Sequence, residues 1–321
     1  MLSSEIYAPG KIRLIDVPEP EPAKPSGQIL FQPEMGCLCG SDIPFFLKEP
    51  HYDPRPGHSL HEVVGRILDS SGTSHRLGEL AMTKVPDQLG VRERIWMDEN
   101  EAFPLPYNMQ IEHGVLSQPL GTVVHAIRKL PSIVGATVAI LGQGPMGQLF
   151  TSTVRNLGAS NIICIDPIPE RLLVSTKMGA THVINPLDTD PVDAVNQVTG
   201  NLGADLSIEV VGHNDLALDQ CSQLCKQSGH ILQFGVPPHG ATPIHLQDMF
   251  RKKQTLLTSV NPGPEQDYQL AIRWIHNGLI DLKPLITHHF PVEEIQAAYE
   301  IFSGRQDGAM KVFIDFPHSG K

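Results

Sequence analysis

The segment "GCLCGSD", residues 36–42, holds two cysteines with one residue between them, then glycine, serine and aspartate. A thiolate is a strong metal ligand, whereas a free cysteine usually packs as a small apolar residue. Two chemistries are therefore open to Cys37 and Cys39. One is a metal site with a hydroxyl (Ser41) and a carboxylate (Asp42) beside it; the other is a buried turn. Further donors follow in "GHSLHEVVG", where His58, His61 and Glu62 supply two imidazoles and a carboxylate.

A third stretch, "VAILGQGPMGQLFTSTVRNLGA", reads as a strand, a Gly142-x-Gly144-x-x-Gly147 turn and a helix that opens at Pro145 and Met146. In that context the first glycine allows a tight turn and the second lets backbone approach a pyrophosphate. The third lets the helix pack closely on the strand, with its N-terminus toward the anion. The next strand-like run, "NIICID", ends in Asp166, where an acid bonds the ribose hydroxyls of NAD and repels a 2′-phosphate. Arg171, five residues on, could help hold the ribose or tolerate that phosphate, and the balance favours NAD.

These groups need elements to hold them. Up to about residue 118 the chain is rich in Pro, Gly and His, with short runs such as "QILF" and "EVVGRIL" that read as strands between turns. A Pro/Glu-rich stretch, Val17 to Pro25, is the only low-complexity segment. From about 119 to 262, "ATVAIL", "NIICID", "HVIN", "LSIEVV" and "HILQFG" alternate with amphipathic segments, a βαβ rhythm that predicts a parallel sheet wrapped by helices. After it come two helical periodicities, "DYQLAIRWIHNGLI" and "VEEIQAAYEIFSG", and a closing strand, "KVFIDF".

The 321 residues suffice for one large or two ordinary domains. With 40% hydrophobic and 18% charged residues the chain has a globular balance. Its net charge of −11 disfavours nucleic acid and anionic membrane surfaces as partners. No apolar run reaches bilayer length, and the first residues lack the pattern of a signal peptide, so the expectation is a cytoplasmic protein. Five thinly spread cysteines do not suggest a disulfide framework.

Taken in order, "GCLCGSD", "HEVVGRI", "QPLGTVVHAIRKL", "LGQGPMG", "IDPIPERLLVSTKMGATHVINP" and "PLITHHFPVEEIQAAYEIFSG" resemble the medium-chain dehydrogenase/reductase superfamily in its zinc-dependent alcohol, polyol (sorbitol) and threonine dehydrogenase branch. The resemblance covers nearly the whole chain. It implies an α/β protein with a GroES-like, partly open β-barrel catalytic domain from residues 1–118 and 263–321. A Rossmann NAD-binding domain of residues 119–262 is set between them, with the active site in the interdomain cleft.

By the same resemblance Cys39 matches the first zinc ligand, and Cys37 lies two places too early. Ser41 matches the hydroxyl that bonds the substrate oxygen and begins the proton path. Asp42 matches a carboxylate that orients the histidine ligand. His61 and Glu62 fit by their spacing to Gly65, with His58 as a rival because a glycine precedes it. Gln118 stands where relatives carry glutamate or cysteine, a weaker, neutral ligand. The metal set is thus Cys39, His61, Glu62 and Gln118, and the catalytic set is Ser41, Cys39, His61 and Glu62. The cofactor set is Gly142, Gly144, Pro145, Met146, Gly147, Asp166, Arg171, Gly235 and Val236.

Two further departures are read from the sequence. The cysteine-rich lobe that holds a structural zinc is replaced by "ELAMTKVPDQL", so one catalytic zinc and no structural zinc is expected. Pro44 stands where many relatives have a histidine after the Ser-Asp pair, so the proton path must leave by another group or by water. Cys164, Cys221 and Cys225 are expected in the core, the last two on one helix face. His288 and His289 are expected to pair at the domain interface, His125 to be a structural or cofactor-side histidine, and the acids of "DENEAF" to form a solvated turn.

The expected activity is hydride transfer between a secondary alcohol or polyol (or hydroxy-amino acid) and NAD, with a small-molecule alcohol or carbonyl as substrate and a homodimer or homotetramer as the assembly. Two other readings stand beside it: a zinc-free NADPH-dependent reductase of quinones or activated double bonds, and a non-catalytic nucleotide-binding protein.

Overall fold

Short apolar runs bounded by Gly and Pro become strands, and the computed structural model shows how they join. It describes residues 1–22 and 26–317, so residues 23–25 of the Pro/Glu-rich stretch lie outside the described residues. The chain divides into two units: Met1–Pro119, Pro264–Asn277 and Ile286–Lys321 form the first, Leu120–Gly263 and Gly278–Leu285 the second.

The first unit is built on a mixed sheet. Its strand order is Ile286–Pro291, Lys311–Asp315, Gln28–Cys37, Glu62–Ser70, Leu80–Lys84 and Ala102–Pro104, with Ile95–Asp98 paired to the other half of Gln28–Cys37. The two chain ends meet here, because Phe313 lies opposite Cys37 in an antiparallel ladder. The strand Gln28–Cys37 is buried along most of its length, with Ile29 and Phe31 in a core shared with Ile67, Tyr299, Val312 and Ile314. Register decides the chemistry of this unit. Cys37 is the ladder partner of Glu62, so Cys39, just past one strand, and His61, just before the next, share one end of the sheet.

The second unit is an α/β layer structure. Six parallel strands run in the order His182–Ile184, Asn161–Ile165, Thr137–Leu141, Ala204–Glu209, Cys225–Gln233, Thr255–Thr258. Numbered along the chain this order is 3-2-1-4-5-6, the doubly wound order of a dinucleotide-binding sheet. Ile163, Ile165, Ala139 and Leu141 are buried as expected for strands covered on both faces. The order reverses between Thr137–Leu141 and Ala204–Glu209, and the crevice beyond the carboxyl ends of those strands is where ligands bind in such sheets.

One local expectation fails. The helix Ala217–Leu224 ends before Cys225, which opens the next strand, so Cys221 and Cys225 do not share a helix face. Pairing with Ala204 draws Cys225 into the sheet, and this tertiary contact overrides the helical spacing. No helix among the described residues is long and apolar enough to cross a membrane.

Candidate active site

Cys39 caps a single 3₁₀ turn, Gly40–Asp42, that leaves the sheet after Cys37. Asp42 at the end of that turn is fully buried and makes two directed bonds. One oxygen accepts the Cys39 backbone N–H at 2.7 Å, and the other meets His61 Nδ1 at 3.2 Å. That second bond leaves the other ring nitrogen of His61 for a ligand. Ligand atoms of Cys39, His61 and Glu62 all lie within 4.8 Å of one another. Burial opposes a charge on the His61 ring, but Asp42 and Cys39 outweigh it and raise its pKa well above the ordinary value. This corner of the sheet therefore favours positive charge.

The donor set fits a divalent metal of borderline softness. A thiolate, an imidazole and a carboxylate are the ligand types zinc takes in open catalytic sites. Glu62 adds a second indication: its Oε1 is buried with no hydrogen-bond partner among the described residues, while Oε2 pairs with the ammonium of Lys311. Lys311 is itself 1% exposed and reaches the Leu38 carbonyl at 3.4 Å. Burial raises the Cys37 pKa well above that of a free thiol.

The rival histidine is committed elsewhere. His58 Nδ1 accepts the Arg55 N–H at 2.7 Å, and its Nε2 lies 2.8 Å from the Asp87 carbonyl. Gln118 is buried on the helix Ile111–Ile127, and its amide nitrogen donates to the Tyr268 hydroxyl at 3.1 Å, which turns its amide oxygen the other way. Burial pushes the Tyr268 pKa up to about 12, so this hydroxyl stays protonated. Ser41 is the partly exposed middle residue of the 3₁₀ turn, between Cys39 and Asp42 in the chain. Pro44 is buried in the following short helix, Ile43–Phe46.

The second unit carries the Gly142-x-Gly144-x-x-Gly147 turn. Gly142 has φ 98°, and Gly144 caps the helix Pro145–Asn156, which begins with Pro145 and Met146. A Cβ on Gly147 would collide with the Gly142 carbonyl oxygen, so only glycine allows this approach of helix and strand. Asp166 is 3% exposed; its oxygens accept the Gln143 N–H at 2.7 Å and the Ile168 N–H at 2.9 Å. Arg171 stands 3.6 Å from the same carboxylate. Gly235 and Val236 follow the strand Cys225–Gln233, and the Val236 carbonyl accepts the His213 N–H at 2.7 Å.

Other candidates are structural. Cys164 is buried in its strand, and burial pushes its pKa up to about 12. His125 Nδ1 accepts the Gly263 N–H at 3.3 Å. His288 and His289 are neighbours on the strand Ile286–Pro291 and face opposite ways, so they do not act as a pair. His288 meets Asp307 and stacks on Phe290, whereas His289 meets Asp315 and stacks on Phe313. In "DENEAF", Glu99 accepts the Thr73 and Ser74 N–H groups and so ties two loops. Sequence reasoning missed Lys311 and Tyr268, partners of Glu62 and Gln118. Nothing local to "KVFIDF" or "DYQLAIRW" signals a partner so distant along the chain.

Comparison with known proteins bears on the chain's relatives and its fold. A family model described as "Zinc-binding dehydrogenase" matches residues 145–277. An alcohol dehydrogenase of Cupriavidus necator is 35% identical over 186 residues, covering 58% of this chain and 50% of that protein, so the match spans half of that relative's length. The L-threonine 3-dehydrogenase of Bacillus subtilis (strain 168) is 25% identical over 326 residues, covering 92% of this chain and 93% of that one. Among solved structures, the alcohol dehydrogenase TADH of Thermus sp. ATN1 aligns with a TM-score of 0.89 at 22% identity, over 98% of this chain and 100% of that one. That last likeness speaks to fold.

Proposed function

We propose that the chain is a member of the zinc-dependent medium-chain dehydrogenase/reductase superfamily and that it is a dehydrogenase of a secondary alcohol or polyol, or of a hydroxy-amino acid, working with one zinc ion and NAD. The observation that carries this reading is the convergence of Cys39, His61 and Glu62, with Asp42 behind the histidine.

Cys39, His61 and Glu62 would hold the zinc, which supplies Lewis-acid chemistry toward an alcohol or carbonyl oxygen when bound. Asp42 keeps His61 in one tautomer and one orientation by accepting from Nδ1. It also fixes the Cys39 backbone, so one carboxylate positions two ligands. Ser41, part of the same turn and partly exposed, takes the alcohol proton and passes it to water, because Pro44 offers no relay. Lys311 balances the Glu62 carboxylate inside the unit. Gln118, whose amide nitrogen donates to Tyr268, would add no charge as a ligand, unlike glutamate or a thiolate.

The nicotinamide supplies the hydride chemistry. NAD over NADP is supported by Asp166, whose carboxylate would repel a 2′-phosphate, and by Arg171, whose charge already faces that carboxylate. The superfamily also suggests an assembly of two or four copies, which light scattering measures directly.

The test is metal content per chain with alcohol oxidation beside it. About one zinc is expected in the purified protein, and Cys39→Ser should lose both zinc and turnover while still binding NADH. Turnover that survives Cys39→Ser would refute the metal role, and the reductase reading would then stand.

A further inference from the structure

Three neighbouring strands of the second unit, Ala204–Glu209, Cys225–Gln233 and Thr255–Thr258, end side by side. Each end carries a polar side chain: Glu209, Gln233, and Ser259 one residue past the last strand. Glu209 is 1% exposed. One of its oxygens accepts the N–H groups of Val211 at 2.7 Å and Gly212 at 2.9 Å. The other accepts from Gln233 Nε2 at 2.6 Å, and that same nitrogen donates to the Gly235 carbonyl at 2.7 Å. A single carboxylate thus ties the turn after one strand to the turn after its neighbour.

The packing there leaves no slack. A Cβ on Gly235 would strike both the Glu209 carboxylate and the Gly212 backbone nitrogen. A buried carboxylate is costly unless its hydrogen bonds are made, and an apolar residue would close a sheet end more cheaply. Two polar atoms beside this clamp, Gln233 Oε1 and Ser259 Oγ, are buried with no partner among the described residues. Unsatisfied buried polar atoms are rare in folded proteins and call for an explanation such as a ligand.

Strand order says which ligand part they face. Asp166 lies on the side of the switch point where the adenosine ribose binds, and Glu209, Gln233 and Ser259 lie on the other side. A dinucleotide laid across the switch brings its second half to them. We propose that Glu209 is a positioning residue for the nicotinamide half of the dinucleotide. It holds the turns 210–212 and 233–235 in place. This inference rests on the dinucleotide reading of the second unit.

The experiment compares two probes by calorimetric titration of the full-length chain: NADH, and ADP-ribose, which lacks the nicotinamide. Glu209→Gln places a donor against Gln233 Nε2 and breaks the clamp. It should weaken NADH binding by about tenfold, the scale of one uncompensated buried polar group, and leave ADP-ribose affinity unchanged. Equal weakening of both probes, or of neither, overturns the inference. If circular dichroism shows that Glu209→Gln does not fold, Gln233→Leu carries the same comparison with the same expected split. Failure of the wild-type chain to bind either probe would instead sink the dinucleotide reading itself.

Discussion

Glu62 and Lys311 are 249 positions apart in sequence and both essentially fully buried, so each depends on the other for its solvation. Removing the cation alone leaves an uncompensated buried carboxylate, which costs about 3–5 kcal/mol. Lys311→Met should therefore lower the urea midpoint of the metal-free protein sharply, and adding Glu62→Gln should recover much of the loss. Additive losses in the double variant would show that the two groups are not coupled. A second pair, Asp219 and His245, predicts a pH effect. Asp219 raises the pKa of His245 above 6.5 by hydrogen bond and charge, so the histidine's contribution is whole below that value and is lost as pH rises through the raised one. Burial opposes the charge on Asp219, but hydrogen bonds from His245 and Gln223 outweigh it and lower its pKa below 3.8. Its contribution is whole above 3.8 and is lost as pH falls through the lowered value. The pair acts fully between those ordinary values, and because His245 is exposed the effect is small. The stability gap between wild type and His245→Asn should shrink from about pH 6 to about pH 9, as followed by urea midpoint; a constant gap contradicts the assignment.

Among the elements, the strand–turn–helix around residues 137–156 was the most legible in advance. Its glycines answer local steric demands, and a local demand leaves its mark in local sequence. Gly147→Ala puts a methyl group against the Gly142 carbonyl, and the helix must shift to admit it. Such overpacking costs about 1–3 kcal/mol. We expect Gly147→Ala to lower the melting temperature and to weaken NADH binding at least tenfold, while zinc content stays at the wild-type level. Unchanged NADH affinity in this variant would argue against a phosphate site at the helix start. The Gly40–Asp42 turn was legible in part: its residue types suggested metal chemistry, but one carboxylate serving both Cys39 and His61 depends on the register of two strands. The same dependence misled the reading of Cys225, which periodicity assigns to a helix and strand pairing places in a sheet.

For the whole molecule, the two candidate sites are built in different units, each from its own residues. Hydrogen exchange should report them separately. Chelation of the metal should raise exchange around residues 37–42 and 60–63. Adding NADH should lower it around residues 142–147 and 209–212. Chelation that leaves the first set unchanged would mean those residues hold no metal. The sequence by itself determined the dinucleotide turn, the alternation of strands and helices in the second unit, and the candidacy of Cys39, His61 and Glu62, because each is written in residue types at short spacing. Only the tertiary structure shows how His61 and His58 differ, since both carry the same side chain: the first lies with Cys39 and Glu62, the second meets the Arg55 N–H and the Asp87 carbonyl. It alone supplied Lys311 to Glu62, Tyr268 to Gln118 and Gln233 to Glu209. Those partnerships follow from sheet register and long-range packing, and a buried polar group leaves no trace in its neighbours along the chain when the group that satisfies it comes from a distant segment.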